Sequence, residues 1–509
     1  MISHSVSSRP ERSTVEGSAV LSPEHRVPQV SIVKPGFRHF LAIALATLWV
    51  TGCMVGPNYH RPSAPVTPKF KEAAGWQPAQ PIDQQRRGDW WQAYGDPELN
   101  ALEEKVTVSN QSLKVTVAQY TEARAMVKYQ RANYFPFLST SISATRQRGS
   151  ENRATFFNGV VPNQYNDFTL PLDVSWEPDV WGRVRRTVRA ARENAQASAA
   201  DVVNVRLSLQ AELALDYFQM RGLDEQSYIL NETVAAYEKS LQLNQELLHA
   251  GLGSQLDVEQ ARTQLEATRA QAVDIGVARA QDEHAIAVLM GQPPATLTIP
   301  PRVVSYKPPA IPPVLPSQLL ERRPDVAAAE RRMAAANEQI GIARSAYYPT
   351  FSLTGIGGVE SASPGNWFTG PSTLWSVGLS AADTLIDWGQ RGALNTEAQA
   401  NYDATVANYR QTVLTAYQEV EDNLAALRIL QQEAETESQT VASAERQAAI
   451  AIRLYRQGLD PYLNVIQAQS VVLSSEITAA SIVTRRMTAN VLLIKALGGG
   501  WSATQLPKD

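Results

Sequence analysis

The chain has 509 residues, with 46 Lys and Arg against 50 Asp and Glu for a formal charge of −4, and a single cysteine. That balance leaves no basic footprint for nucleic acid, and one cysteine, with only His60, His249 and His284 after it, excludes an internal disulfide and leaves almost no ligands for zinc or haem. No Walker loop, no Gly-x-Ser-x-Gly and no Gly-x-Gly-x-x-Gly between strand and helix is present, so the sequence points away from an enzyme and from any cofactor or metal.

Lys34, Arg38 and His39 flank the apolar run Phe40 to Val50, which ends on Thr51-Gly52-Cys53. A basic flank, an apolar core of about 7 to 15 residues and small residues before the cut make a secretory signal; a permanent helix would need about 20 apolar residues. Residues 1–52 therefore read as a lipoprotein signal that is removed, and Cys53 as the new N-terminus carrying covalent lipid. The competing reading is a short membrane anchor with a chance cysteine. Polar residues 1–35 are either an unusually long basic region or lie ahead of the true start. Met54 follows Cys53; an Asp there favours inner-membrane retention in bacterial lipoproteins, so its absence permits passage to the outer membrane. Residues 53–90, Pro-rich from Gly56 to Pro81, read as an extended segment along the surface.

Residues 91–290 form a first repeat: a helix, two short strands, a very long helix, a Gly turn and a returning helix. Leu138 to Ala144 is a weak strand, whereas Phe168, Leu170, Leu172, Val174 and Trp176 alternate with Thr169, Pro171, Asp173, Ser175 and Glu177 to give one apolar and one polar face. Pro171 cannot donate to a ladder, and a bulge is expected there. From Arg183 to Ala250 there is no proline and one glycine, Gly222; at 1.5 Å per residue this helix reaches about 100 Å. Leu230, Val234, Tyr237, Leu241 and Leu248 follow a three-four spacing, which predicts helices wound around one another.

Residues 291–324 carry ten prolines and read as an outside linker. Residues 325–500 then repeat the first pattern, and 501–509 are a tail. Trp181-Gly182 recurs as Trp388-Gly389, Tyr134-Phe135-Pro136 as Tyr347-Tyr348-Pro349, and the Gly251 turn as the Gly458 turn. Trp375, Val377, Leu379 and Ala381 alternate with small or polar residues, Gly355-Ile356-Gly357-Gly358 reads as strand instead of phosphate loop, and Val413, Val420, Leu427, Ala434, Val441, Ala448 and Tyr455 keep a seven-residue spacing.

Aromatics cluster at the strand ends: Tyr134, Phe135, Phe156, Phe157, Trp181, Tyr347, Tyr348, Trp367 and Phe368. Apolar outward faces with aromatic girdles suit a transmembrane barrel, although a soluble sandwich also alternates. Four strands per chain cannot close, because such barrels start at about eight and an open edge in lipid leaves backbone groups unsatisfied. Several chains must share one barrel.

Cys53, Val55-Gly56-Pro57-Asn58-Tyr59, Trp90-Trp91, Asp96-Pro97-Glu98-Leu99, Arg322-Arg323-Pro324-Asp325-Val326, Ala329-Glu330, Ile340-Gly341 and the run Tyr409 to Leu424 with Ala416-Tyr417-Gln418-Glu419-Val420-Glu421-Asp422 together resemble the TolC-like outer membrane factors, most closely their NodT-type lipoprotein branch in RND-type multidrug efflux systems. The resemblance spans Cys53 to Trp501. It implies a mixed α+β membrane protein: a homotrimer sharing a β-barrel of about twelve strands, four per protomer, continued by a periplasmic α-helical barrel. It also implies a periplasmic adaptor and an inner-membrane pump as partners. Arg322, Arg323, Pro324 and Asp325 are then structural, with Pro324 preset for a first helical turn.

The function implied is an outer membrane channel conducting drugs or other small molecules passively to the exterior. A type I protein secretion duct is the close alternative, and a lipid-anchored coiled-coil scaffold is the alternative of another class. Docking and gating fall at the hairpin tips. Arg453, Tyr455, Arg456, Asp460 and Asp257 are the gate candidates, with Gly251, Leu252, Gly458, Leu459 and Tyr462 at the tips as adaptor contacts. The bland reading of Asp257 and Asp460 is helix capping.

Overall fold

The computed structural model describes residues 54–65, 67–72, 89–150, 164–304, 306–309 and 322–507. Cys53, the signal segment, Phe156 and Phe157 lie outside the described residues.

Two helices precede the strands in the first half, α1 (Pro97–Ser109) and α2 (Gln111–Ala132), where the sequence predicts one. Asn110 makes the break: its Oδ1 accepts from Leu113 N at 2.9 Å and its Nδ2 donates to the Leu289 carbonyl at 2.7 Å. Asp96 caps α1 by accepting from the backbone of Glu98 and Leu99, with Pro97 in the first turn. Then come β1 (Phe137–Thr140), β2 (Ser143–Arg148), β3 (Gln164–Trp176), α3 (Arg183–His249) and α4 (Gln255–Leu289). The second half is α5 (Pro324–Ser345), β4 (Thr350–Ser361), β5 (Thr373–Ala382), α6 (Gln390–Arg456) and α7 (Tyr462–Ala496).

The halves match residue for residue where it matters: α3 and α6 both have 67 residues, and α4 and α7 both have 35. At 1.5 Å rise the long helices span about 100 Å. Half of their predicted seam residues are buried, and Val234, Leu241, Leu248, Ala434, Val441 and Tyr455 are partly so. Val413 and Val420 are fully buried, Leu427 and Ala448 nearly so, and Leu230 and Tyr237 likewise on α3.

All strands join one antiparallel sheet in which β3 is flanked by β4 on one side and by β1 and β2 on the other, with β5 beyond β4. The expected bulge at Pro171 is absent. Thr140 pairs with Leu172 and Ser143 with Thr169, so the register runs through unchanged. The ladder is instead interrupted at Ser141 and Ile142, beside the residue that has no N–H to give. Across the other edge Pro171 faces Gly358, where any Cβ would run into the Leu170 carbonyl and the Pro171 Cα. Gly358 therefore lets the strands close over the proline ring.

The proline-rich linker also departs from expectation. Its described part does not simply run outside: Ile299 is buried in the core with Trp90, Trp91, Leu99, Tyr217 and Phe218, and Leu297 and Tyr306 pack on it. The tail is docked as well, through Trp501 buried against Ala200, Ala327 and Ala328. Among the described residues no helix is long and apolar enough to cross a membrane.

Candidate functional site

Both hairpin tips are built from one device. Gly251 and Gly458 take φ of 73° and 74°, conformations that suit glycine. The next residues, Leu252 and Leu459, donate back to the carbonyls of Leu247 and Leu454 at 2.9 and 3.0 Å, the six-to-one bond that ends a helix sharply. Leu252 and Leu459 are consequently thrust outward, 79% and 72% exposed, with Leu256 and Leu463 beside them.

Tyr462 is the correction at the tip. It is 3% exposed and packs with Ala261, Ala448, Ala451, Val465 and Ala468, so within this chain it presents no docking surface. Its ring lies 5.1 Å from that of Tyr455. The Tyr455 hydroxyl donates to Asn244 Oδ1 on α3 at 2.5 Å, tying one hairpin to the other. One turn deeper, Gln264 on α4 donates to Tyr237 Oη at 3.2 Å and to Ser470 Oγ on α7 at 3.1 Å. Burial first and the Asp257 carboxylate second raise the Tyr455 phenol; burial above all lifts Tyr462 to about 12. Both hydroxyls are therefore neutral donors at any physiological pH.

Asp257 completes a capping box with Ser254, whose Oγ accepts from Asp257 N at 3.1 Å. Asp460 accepts from Asn464 Nδ2 at 2.7 Å. Arg453 and Arg456 stand exposed in the last turn of α6, where cations suit the helix dipole, and among the described residues neither forms an ion pair within the chain. Sequence reasoning missed Asn244, Gln264 and Ser470, because nothing local marks an amide on a long helix as the partner of a residue about 200 positions away.

Midway along the helices a polar clamp binds the linker to the first half. Asp224 Oδ2 accepts from Arg221 at 2.7 Å and from the Arg302 backbone at 3.1 Å, and its Oδ1 accepts from Arg279 at 2.6 Å. Arg221 also reaches Glu98 at 2.7 Å. Asp96 Oδ2 accepts from Arg302, Tyr217 and Tyr306 at 2.7, 2.8 and 2.7 Å. These hydrogen bonds outweigh burial and hold the Asp96 carboxyl below its usual range. The Asp96-Pro97-Glu98-Leu99 motif is thus a cap and an anion pair for the linker arginine.

The Arg323-Pro324-Asp325 motif opens α5, with Pro324 in its first turn. Arg323 bridges Asp325 and Glu419, each at 2.6 Å, and donates to the Ala496 carbonyl at 3.1 Å, joining α5, α6 and α7. Arg322 makes no ion pair among the described residues. Glu421 accepts from the backbone of Lys71 and Glu72 at 2.7 and 2.9 Å. The carboxylates crowded at Glu419 to Asp422 thus hold structure.

Residues 55–65 and 67–72 form a strap that starts on α3 and runs over the second half. Arg186, fully buried, donates to the Val55 carbonyl at 2.6 Å and pairs with Glu338 at 2.8 Å. Its guanidinium fills the space that any side chain at Gly341 would need, and Gly56 closes on Gly341 from the other side. Tyr59 donates to Glu330 at 3.0 Å, Arg61 to the Tyr409 hydroxyl at 3.1 Å, and Phe70 is buried against Tyr417.

An antiparallel sheet with an exposed apolar face that includes Trp375, Val377 and Leu379, continued by hairpins whose long arms reach about 100 Å, is the build of an outer membrane channel protein. The chain belongs to the family described as outer membrane efflux protein, which it matches over residues 102–292 and 315–499. It is 32% identical over 467 residues to the antibiotic efflux pump outer membrane protein ArpC of Pseudomonas putida, covering 91% of this chain and 96% of that one. It is 32% identical over 472 residues to OprJ of Pseudomonas aeruginosa, covering 92% and 97%. Among solved structures the outer-membrane channel OprN superposes with a TM-score of 0.82 at 30% identity, covering 88% of this chain and all of that one. The protein is an outer membrane component of an efflux system.

Proposed function

We propose that three copies share one barrel and one helical tube, and that the assembly conducts antibiotics or other small molecules passively from a periplasmic adaptor and inner-membrane pump to the exterior. The observation that carries this reading is the open sheet. Among the described residues β1, β2 and β5 each leave one edge without a partner strand, while the outward face carries the exposed apolar residues Leu172, Trp375, Val377 and Leu379, and such an edge is not tolerated in lipid unless another chain completes it. Lipid on Cys53 would hold the strap's upper end at the membrane. Leu252, Leu256, Leu459 and Leu463 form an apolar tip collar suited to an adaptor. Arg453, Arg456 and Asp460, facing solvent or partly so at the α6 turn, are the charges available for closing the tube between copies. The antibiotic efflux pump for which ArpC, 32% identical to this chain, is named supports the substrate class.

Single-channel conductance of purified, lipidated protein in planar bilayers tests the reading, with Asp460→Ala alongside. A nearly closed trimer that conducts more after the substitution is the expected result. A folded, membrane-extracted oligomer that never conducts would overturn it in favour of a lipid-anchored scaffold.

A further inference from the structure

Gly222 is the one glycine among the 67 residues of α3, and it stands where α3 presses against α7. Any Cβ there would run into Oγ1 of Thr484, so the two hairpins meet at this point with no side chain on the α3 side. The repeat does not carry the device. At the shift of 207 residues that relates α3 to α6 and α4 to α7, the counterpart of Gly222 is Ile429 and that of Thr484 is Val277.

Beside this contact lies a cavity of about 430 Å³. One wall is Phe218, Glu225 and Ile229 on one face of α3, and the facing wall is Glu476, Ala479, Val483 and Met487 on α7. Val303, Val304 and Tyr306 line it from the linker, which the clamp fixes there: the Tyr306 hydroxyl donates to Asp96 and the Arg302 backbone to Asp224. A space of this size, mostly apolar with a few polar groups, suits a small organic molecule.

Among the described residues three charged side chains line the cavity, Arg221, Glu225 and Glu476. Arg221 is already committed, to Glu98, Asp224 and the Pro300 carbonyl. Glu225 and Glu476 are half-buried and form no hydrogen bond or ion pair among the described residues. Burial raises both carboxyls, with Glu445 adding to the rise at Glu476, and no donor offsets it. Asp96, which has its donors, moves the other way.

We propose that this cavity binds a small amphipathic cation, an ammonium on a short aromatic or aliphatic chain, with the chain against Phe218, Ile229, Val304 and Met487 and the ammonium on the Glu225 and Glu476 carboxylates. The site lies within one chain and stands whether or not several copies share a barrel, so it goes beyond the reading above. An ammonium brings three N–H donors and no acceptor, the complement of two carboxylates that lack donors. An anion of the same shape would meet like charge there. Glu225 belongs to the first hairpin and Glu476 to the second, so the bound cation joins them through a contact that the chain itself does not make. The counterpart positions, Gln432 and Arg269, offer no such pair of acids.

The test is equilibrium dialysis of full-length lipidated protein in nanodiscs of zwitterionic lipid against phenylbutylamine, with empty nanodiscs as the blank. Phenylbutanol and phenylbutyrate serve as neutral and anionic probes of similar shape. One saturable site per chain is expected for the amine, with the alcohol about tenfold weaker or more and the butyrate excluded. Glu225→Gln with Glu476→Gln keeps the shape of both side chains and should weaken the amine about tenfold or more while leaving the alcohol unchanged. Ala479→Phe, which fills the cavity, should abolish binding of both amine and alcohol in protein that still melts cooperatively. No saturable binding of the amine by the wild-type protein, equal binding of the butyrate, or full retention of the amine by the double Gln variant would each overturn the site.

Discussion

The Tyr455 hydroxyl and Asn244 Oδ1, 2.5 Å apart, bond the tip of the second hairpin to the first within one chain. Asn244 is 1% exposed, so its carbonyl oxygen has no ready substitute in water. A tube that opens at this end by separating the hairpins must break that bond.

Tyr455→Phe should therefore shift the tip toward the open form. Removing one partner of a buried hydrogen bond costs about 1–3 kcal/mol, enough to raise an open population roughly 5- to 150-fold. The check is resting single-channel conductance, which should rise for Tyr455→Phe with the protein still folded and extracted from the membrane like the wild type. An unchanged conductance would remove this bond from the gate.

Gly341→Ala should destabilise the fold, because the new methyl group must displace the buried Arg186 side chain and with it the Glu338 pair and the bond to Val55. Overpacking of this kind costs about 1–3 kcal/mol. Thermal unfolding in detergent measures it, and Gly276→Ala, at a position where a Cβ meets nothing within 4 Å, is the control expected to leave stability unchanged or slightly improved.

Asp224→Ala should be the most damaging change in the clamp. It strips Arg221 and Arg279 of a shared, buried carboxylate and frees the Arg302 backbone. Breaking one partner out of a buried ion network costs about 3–5 kcal/mol. Limited proteolysis around residues 297–309 should show the linker released before the hairpins unfold.

Asp216 sits on α3 near Asp282 and Glu212, and burial, then Asp282, then Glu212 push its carboxyl to about 7; burial lifts Asp282 to about 6. Both acids are raised above their unfolded values near 3.8. Their contribution is thus greatest below pH 4 and is lost as pH rises through 6 and 7, where the folded state must hold two neighbouring charges. Asp216→Asn should raise the melting temperature at pH 8 and change it little at pH 5. An equal rise at pH 5 and pH 8 would mean the pair is charged in the folded protein throughout.

Much of this was legible in the residues themselves. The Pro-free stretch from Arg183 to Ala250 placed the first long helix to within about a residue, and the Gly458 turn placed the end of the second, because helix ends are set locally by chain chemistry. Alternation placed β3 and β5 for the same reason. What escaped were matters of tertiary partnership. Asn110 breaking the first helix depends on the Leu289 carbonyl far along the chain, Pro171 is accommodated by a gap in the opposite strand, and Tyr462, at an exposed turn by sequence, is buried by Ala261 on α4 and by Ala448 and Ala451 on α6. At the candidate site the charged residues were nameable, but the amides that bond the hairpins were not.

The strap has a mechanical meaning. From Val55 to Glu72 it follows Arg186, then Asn337 and Glu330, then Tyr409, Glu421 and Arg428 in turn. A pull on the chain ahead of Met54 would act along that line, loading many bonds at once in shear, where peeling would load them singly. Movement of the bilayer relative to the tube would then be resisted by the whole seam, and the strap would behave as a tendon whose strength grows with its length.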